Sequence, residues 1–159
     1  MRPIEVGHHR TLFEREHELG TLEGAIDAVT DGVGGAVLIQ AATGLGKTAL
    51  LRAGIEMART RELTVLHARA TQLDSAYGLG LARQLFGGVL GRAPDDGCGG
   101  ERERVAEQVR RILQPDLIAS GTPSSSVDPD GGFGTLNALY WLLAALAEDR
   151  PVVVAVDDA

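Results

Sequence analysis

The chain alternates short apolar runs with longer stretches in which apolar residues recur three or four apart. Leu19, Leu22, Ile26 and Val29 keep helical spacing and predict a helix over about residues 15–30, closed by Asp31-Gly32-Val33-Gly34-Gly35. Ala36-Val37-Leu38-Ile39 then reads as a first strand. Ala49-Leu50-Leu51-Arg52-Ala53 opens a second helix, which runs to about Arg59. Residues 63–68, with β-branched Thr64 and Val65, predict a second strand. Helices follow over 79–90 (Leu81, Leu85, Val89, with Phe86 beside them) and 101–113 (Val105, Val109, Ile112, Leu113). Residues 114–134, rich in Pro, Gly and Ser, predict a long loop. A helix over about 135–148 is expected to bury Leu136, Leu139, Tyr140, Leu143 and Leu146, with Trp141 in core or interface packing. The final run, Val152-Val153-Val154-Ala155-Val156, is continuously apolar, as in a parallel strand covered on both faces. Strands alternating with helices predict an α/β fold built on a parallel sheet.

The junction between the first strand and its helix carries chemistry. Ala41-Ala42-Thr43-Gly44-Leu45-Gly46-Lys47-Thr48 is a glycine-bearing loop closed by Gly-Lys-Thr, with a strand before it and a helix after it. This is the arrangement of a phosphate-binding P-loop. Backbone N–H groups of the loop and helix start bind phosphate oxygens, and Gly44 and Gly46 permit the backbone angles this needs. Lys47 supplies a mobile charge for the β- and γ-phosphates, and the Thr48 hydroxyl is a ligand for Mg²⁺. Thr43, Gly44, Leu45, Gly46, Lys47 and Thr48 are thus the candidate nucleotide contacts. The pattern ordinarily starts with glycine, and Ala41 stands there, which predicts an altered loop entry with binding retained. The competing reading is a glycine-rich turn with a chance Lys-Thr, which the flanking strand and helix disfavour.

Composition sharpens this picture at one point. Lys47 is the only lysine, so arginine supplies the other 14 of the 15 Lys and Arg residues. The one compact ammonium thus lies where it suits phosphate. The net charge of −7 argues against this segment itself binding nucleic acid or an anionic membrane. A single cysteine, Cys98, can form neither an internal disulfide nor a zinc cluster and fits a reducing cytoplasm. The start of the chain lacks the apolar core of a signal peptide, and residues 138–147 are too short to span a bilayer. His8 and His9, adjacent on a polar stretch, make a poor metal pair, and His67 near a strand end reads as a packed or solvated residue.

Asp157 and Asp158 follow the last apolar run, at the carboxyl edge where parallel α/β sheets place their ligands. Asp157 would hold the metal through its water shell, and Asp158 would orient or deprotonate the attacking water. Asp-Asp after a strand is by itself usually a solvated strand end; a P-loop earlier in the chain gives it weight.

Several stretches together resemble the N-terminal ATPase part of the large ATP-binding LuxR-family transcriptional regulators, a signal-transduction branch of the AAA-type P-loop ATPases. They are Leu12-Phe13-Glu14-Arg15-Glu16-His17-Glu18-Leu19, the P-loop itself, Ala68-Arg69-Ala70, Gly80-Leu81-Ala82-Arg83-Gln84-Leu85-Phe86, Leu139-Tyr140-Trp141-Leu142 and Val153-Val154-Ala155-Val156-Asp157-Asp158-Ala159. Residues 1–10 are polar and read as a flexible lead, and the resemblance implies 11–159 as a partial P-loop ATPase domain, with Walker A at 41–48 and Walker B at 152–158. It implies ATP and Mg²⁺ as ligands, Asp157 as the Walker B aspartate and Asp158 in the adjacent acidic position, where some relatives carry glutamate. It implies an ATP-operated switch with slow hydrolysis, self-association through the whole ATPase domain, and DNA contact only through a C-terminal domain that this chain does not contain. A small-molecule kinase is the runner-up, and a piece without activity of its own is a third reading. The sheet order implied is 5-1-4-3-2. Three core strands are predicted here, without the one that separates the P-loop strand from the Walker B strand, so the chain reads as an incomplete core.

Overall fold

The computed structural model describes residues 14–71, 79–91, 101–113 and 129–158. Their elements are α1 (Glu16–Thr30), α2 (Lys47–Thr60), β1 (Thr64–Arg69), α3 (Gly80–Leu90), α4 (Glu101–Leu113), α5 (Pro129–Asp149) and β2 (Val152–Asp157). Phe13, the 1–10 lead, the paired histidines and Cys98 lie outside the described residues. The chain divides into two compact units, residues 1–69 with 150–159, and residues 70–149.

In the first unit β1 and β2 pair in parallel, from Thr64 against Val152 to Arg69 against Asp157. Two strands distant in sequence are thus neighbours, and their carboxyl ends lie side by side. Helix α2 packs on this pair and α1 packs on α2. Gly54 is buried at that crossing, and a Cβ there would meet the Leu22 side chain at 3.4 Å, so the missing side chain lets the helices close. Ile26, Ala58 and Leu63 form the core, with Val29, Met57, Val65 and Val153 against it. Arg61 adds ion pairs to Glu23 and Asp27 of α1, at 3.1 and 2.8 Å. Being largely exposed, such pairs contribute little next to the apolar contact.

The predicted first strand does not form. Residues 36–39 carry no strand hydrogen bonding, and Val37 and Leu38 are 45% and 79% exposed. A strand is defined by its neighbour, and among the described residues none lies beside this run. In the implied order another strand stands between the P-loop strand and the Walker B strand, and the described residues contain no counterpart to it. The sheet is therefore two-stranded, β1 beside β2, with the P-loop entered from an extended, unpaired segment.

In the second unit α4 packs on α5 and α3 on α4. Val109 and Leu142 are fully buried, with Leu113, Ala138 and Leu146 nearly so. Helix α5 starts at Pro129, not near residue 135. Proline lacks the N–H that a first helical turn leaves unpaired, and its fixed φ suits that position. The buried stripe is also rotated from the expected one. Ala138, Leu142 and Leu146 face inward, whereas Leu136 and Tyr140 are 68% and 64% exposed. Trp141 is 55% exposed, not a core residue, and meets Tyr140 edge-on at 5.5 Å. On α4, Arg110 and Arg111 both pair with Glu107, the solvated charged face expected of them. Leu142→Ala is expected to lower stability by about 2–4 kcal/mol, with Leu136→Ala within about 0.5 kcal/mol of wild type. Denaturant midpoints of the two variants check this; equal losses would contradict the assignment of the buried face. No helix among the described residues is long and apolar enough to cross a membrane.

Candidate functional site

The loop of residues 41–46 is exposed throughout and ends in a helix start of a particular kind. Gly46 is the N-cap of α2 at φ 82°, and Gly44 lies at φ 85°. No atom lies within 4 Å of where a Cβ would stand at either position, so it is the left-handed backbone, not crowding, that calls for glycine. The cap supplies no side-chain hydrogen bond to the helix. Among the described residues the N–H groups of Gly46, Lys47, Thr48 and Ala49 have no backbone acceptor, while the Leu50 N–H already donates to the Gly46 carbonyl at 3.0 Å. A helix start with free N–H groups favours an anion.

Lys47 is folded back over its own loop. Its Nζ donates to the Ala41 carbonyl at 2.9 Å and to the Ala42 carbonyl at 3.4 Å. The residue that replaces the usual first glycine thus contributes its backbone oxygen to the lysine, a contact that does not depend on its side chain. These are exposed hydrogen bonds to neutral acceptors, weaker than those an ammonium forms with phosphate.

The two halves of the candidate site meet at one hydrogen bond. The Thr48 hydroxyl donates to Asp157 Oδ1 at 3.1 Å across 109 residues. Asp157 is the buried charged residue at the end of β2, 6% exposed, and parallel packing against α2 brings it to the helix start. Both groups are hard oxygen donors, the chemistry Mg²⁺ takes when phosphates and waters complete its shell. No group of three or more His, Cys, Asp or Glu converges among the described residues.

Asp158 is placed differently. It sits just past β2 at φ 59°, a left-handed conformation that aspartate tolerates better than most residues. Its Oδ2 accepts from Arg69 Nε at 3.0 Å and Arg69 Nη2 at 2.8 Å. The hydrogen bonds from Arg69 to this carboxylate, with its charge, hold the guanidinium firmly protonated. Arg69 stands opposite Asp157 in the β1–β2 register, which is why it reaches the next residue. The two aspartates therefore accept hydrogen bonds from different groups, a hydroxyl for Asp157 and a guanidinium for Asp158, while the Arg69 charge acts on both.

Arg15, just before α1, is the other residue that the sequence did not single out for a role. Its Nη2 donates to the Leu45 carbonyl at 3.1 Å, and its Nη1 pairs with Glu18 Oε1 at 2.6 Å. A backbone hydrogen bond at the helix start, and then Arg15, lower the Glu18 pKa. The sign follows from a depressed folded value: the pair is complete above the ordinary carboxylate range and is lost as pH falls through the lowered value. A cleft of about 280 Å³ opens between this segment and the loop, lined by Arg15, Thr21, Leu22, Val37, Ile39 and Lys47 among others. Among the described residues, a depression of about 710 Å³ is lined by Glu103, Arg104, Glu107, Gln108, Arg111 and Ile112 of α4. His67 is exposed on β1 and joins none of these contacts.

A free helix start after a Gly-x-Gly-Lys-Thr loop, joined to a buried aspartate at the end of a parallel strand, defines the P-loop NTPase class. The model of the AAA ATPase domain family matches residues 11–159, and the chain belongs to that family. Its fold is accordingly a partial P-loop core, α/β with a small parallel sheet and flanking helices. Nucleotide binding is the property this membership carries. No curated protein and no solved structure matches the chain significantly.

Proposed function

We propose that the chain is a Mg-ATP-binding switch module that hydrolyses ATP slowly. The observation that supports this most is the Thr48–Asp157 hydrogen bond, which joins the phosphate loop to the acidic strand end. In this reading Gly44, Leu45, Gly46, Lys47 and Thr48, with Thr43 before them, hold the phosphates. Thr48 would bind Mg²⁺ directly and Asp157 would hold its water shell; the bound ion would neutralise phosphate charge. Lys47 exchanges its two loop carbonyls for the β- and γ-phosphate oxygens. Asp158 accepts the proton of the attacking water, and the cleft between α1 and residues 37–39 receives the nucleoside. Within a whole polypeptide the module operates as the switch of a LuxR-type transcriptional regulator, self-associating through its ATPase domain and reaching DNA through a separate region. The similarity of the Arg-Gln-Leu-Phe and Tyr-Trp-Leu stretches supports that narrower reading.

The metal assignment has its own test. Asp157→Asn keeps an oxygen for the Thr48 hydroxyl but removes the charge that holds metal-bound water. The expected result is a loss of about 10- to 100-fold in apparent Mg²⁺ affinity, with ATP binding in the absence of metal little changed. Titration of magnesium at fixed ATP reads this out, and an unaltered magnesium midpoint would remove Asp157 from the metal site. A helix-turn-helix in the same polypeptide would support the regulator reading, whereas a lid with acceptor-binding residues would favour a small-molecule kinase.

A further inference from the structure

The loop that is to hold phosphate is exposed along its whole length, with little packing from the described residues to hold it in place. Residues 41–46 are all exposed, and Leu45, their one large apolar side chain, is 54% exposed. What reaches the loop from elsewhere in the chain is a guanidinium. Arg15 Nη2 donates to the Leu45 carbonyl at 3.1 Å, thirty residues away, and Glu18 fixes the other arm of the fork at 2.6 Å. The Leu45 carbonyl is the acceptor that the Ala49 N–H would use if the helix extended back one residue, so the contact with Arg15 also keeps that carbonyl out of the helix.

Peptide geometry carries the consequence. The 45–46 bond is trans, as are all those in the described chain, and in a planar trans peptide the C=O and the next N–H point in opposite directions. Fixing the Leu45 carbonyl on the guanidinium therefore fixes the Gly46 N–H away from it. That N–H has no acceptor among the described residues, and neither do the N–H groups of Lys47, Thr48 and Ala49 that follow it. Without Arg15, glycine at 46 leaves this peptide free to rotate, because both signs of φ are open to it.

We propose that Arg15 is a positioning residue for the phosphate loop, orienting the 45–46 peptide through the Leu45 carbonyl so that the Gly46 N–H is preset to receive a phosphate oxygen. This rests on the nucleotide reading of the loop. Arg15 also lines the cleft assigned to the nucleoside, but the proposed effect runs through the Leu45 carbonyl and so extends to any ligand that carries the phosphate chain. The recognised chemistry is polyphosphate itself.

The test compares the full chain with Arg15→Ala and Arg15→Lys, titrated with Mg-ATP and with magnesium tripolyphosphate, and follows the Gly46 amide resonance in ¹⁵N-labelled protein. Arg15→Ala is expected to weaken both ligands equally, by about five- to tenfold, as for loss of one exposed hydrogen bond of ordinary net strength. The Gly46 resonance should shift without ligand, and the melting midpoint should hold. Arg15→Lys should recover part of the affinity, since an ammonium can donate to the carbonyl but lacks the planar fork that meets Glu18 and Leu45 from separate nitrogens. A loss for Mg-ATP with none for tripolyphosphate would overturn the proposal and make Arg15 a nucleoside contact. Unchanged affinities, or a lowered melt with the Gly46 amide unmoved, would overturn it too. If wild type binds neither ligand, the nucleotide reading has failed, and the Gly46 resonance still decides the role of Arg15: a shift on substitution supports it, no shift overturns it.

Discussion

Lys47→Ala should abolish measurable Mg-ATP binding while leaving the melting transition in place. The lysine contributes nothing to the core: its ammonium sits on two carbonyls at the exposed loop, and among the described residues no ion pair holds it. Removing it therefore frees two solvent-accessible carbonyls that water satisfies at little cost. With ligand the balance differs. An ammonium facing two phosphates makes charge-assisted hydrogen bonds in place of those to neutral carbonyls, and truncating such a partner costs about 2–5 kcal/mol. That range corresponds to a loss of roughly 30- to several-thousand-fold in affinity. No second lysine exists to substitute for it. Calorimetric titration beside a thermal melt of each protein checks both halves. Retained affinity would mean that the ammonium does not meet phosphate, and a lost melt would mean that the loop contacts matter to the fold.

Asp158→Asn should leave Mg-ATP affinity within about twofold and lower phosphate release by about 10²-fold or more, the usual contribution of a positioned base. The amide keeps the size of the side chain and an oxygen for Arg69, but it cannot take a proton. The structure separates this prediction from the one for Asp157. Asp157 is buried against the Thr48 hydroxyl, whereas Asp158 stands at the exposed end of the sheet with two donors from Arg69 on one of its oxygens. Oδ2 accepts both Arg69 hydrogen bonds, so under the proposed mechanism the water would meet Oδ1. Single-turnover phosphate release measures the effect. An unchanged rate would make Asp158 a partner of Arg69 and nothing more.

What could be read from the sequence follows the range of the interactions involved. The phosphate loop was legible because its features are local: left-handed glycines at 44 and 46, a lysine and a threonine at the first helical positions. Helices α1 to α4 were legible from periodic apolar residues, since Leu22, Ile26, Phe86, Val109 and Leu113 do turn inward. Residues 36–39 misled because their β-branched and aliphatic character suits a strand, but a strand also needs a neighbour. On α5 the large residues drew attention to the wrong face. Ala138 is among the buried positions, and a small side chain carries little weight in a pattern drawn from Leu and Tyr. The proximity of Thr48 to Asp157 followed from the expected parallel packing, not from spacing. Arg15 and Arg69 were the least visible, because in a chain with 14 arginines each reads as surface charge until a backbone carbonyl or a carboxylate is seen beside it.

The central claim is that the loop and the acidic strand end together form a Mg-ATP site. The direct measurement is a calorimetric titration of the full chain with ATP, with and without Mg²⁺, on protein shown to melt cooperatively. The account predicts saturable binding at one site per chain, strengthened by magnesium. A cooperatively folded chain that gives no saturable binding in either condition would contradict it.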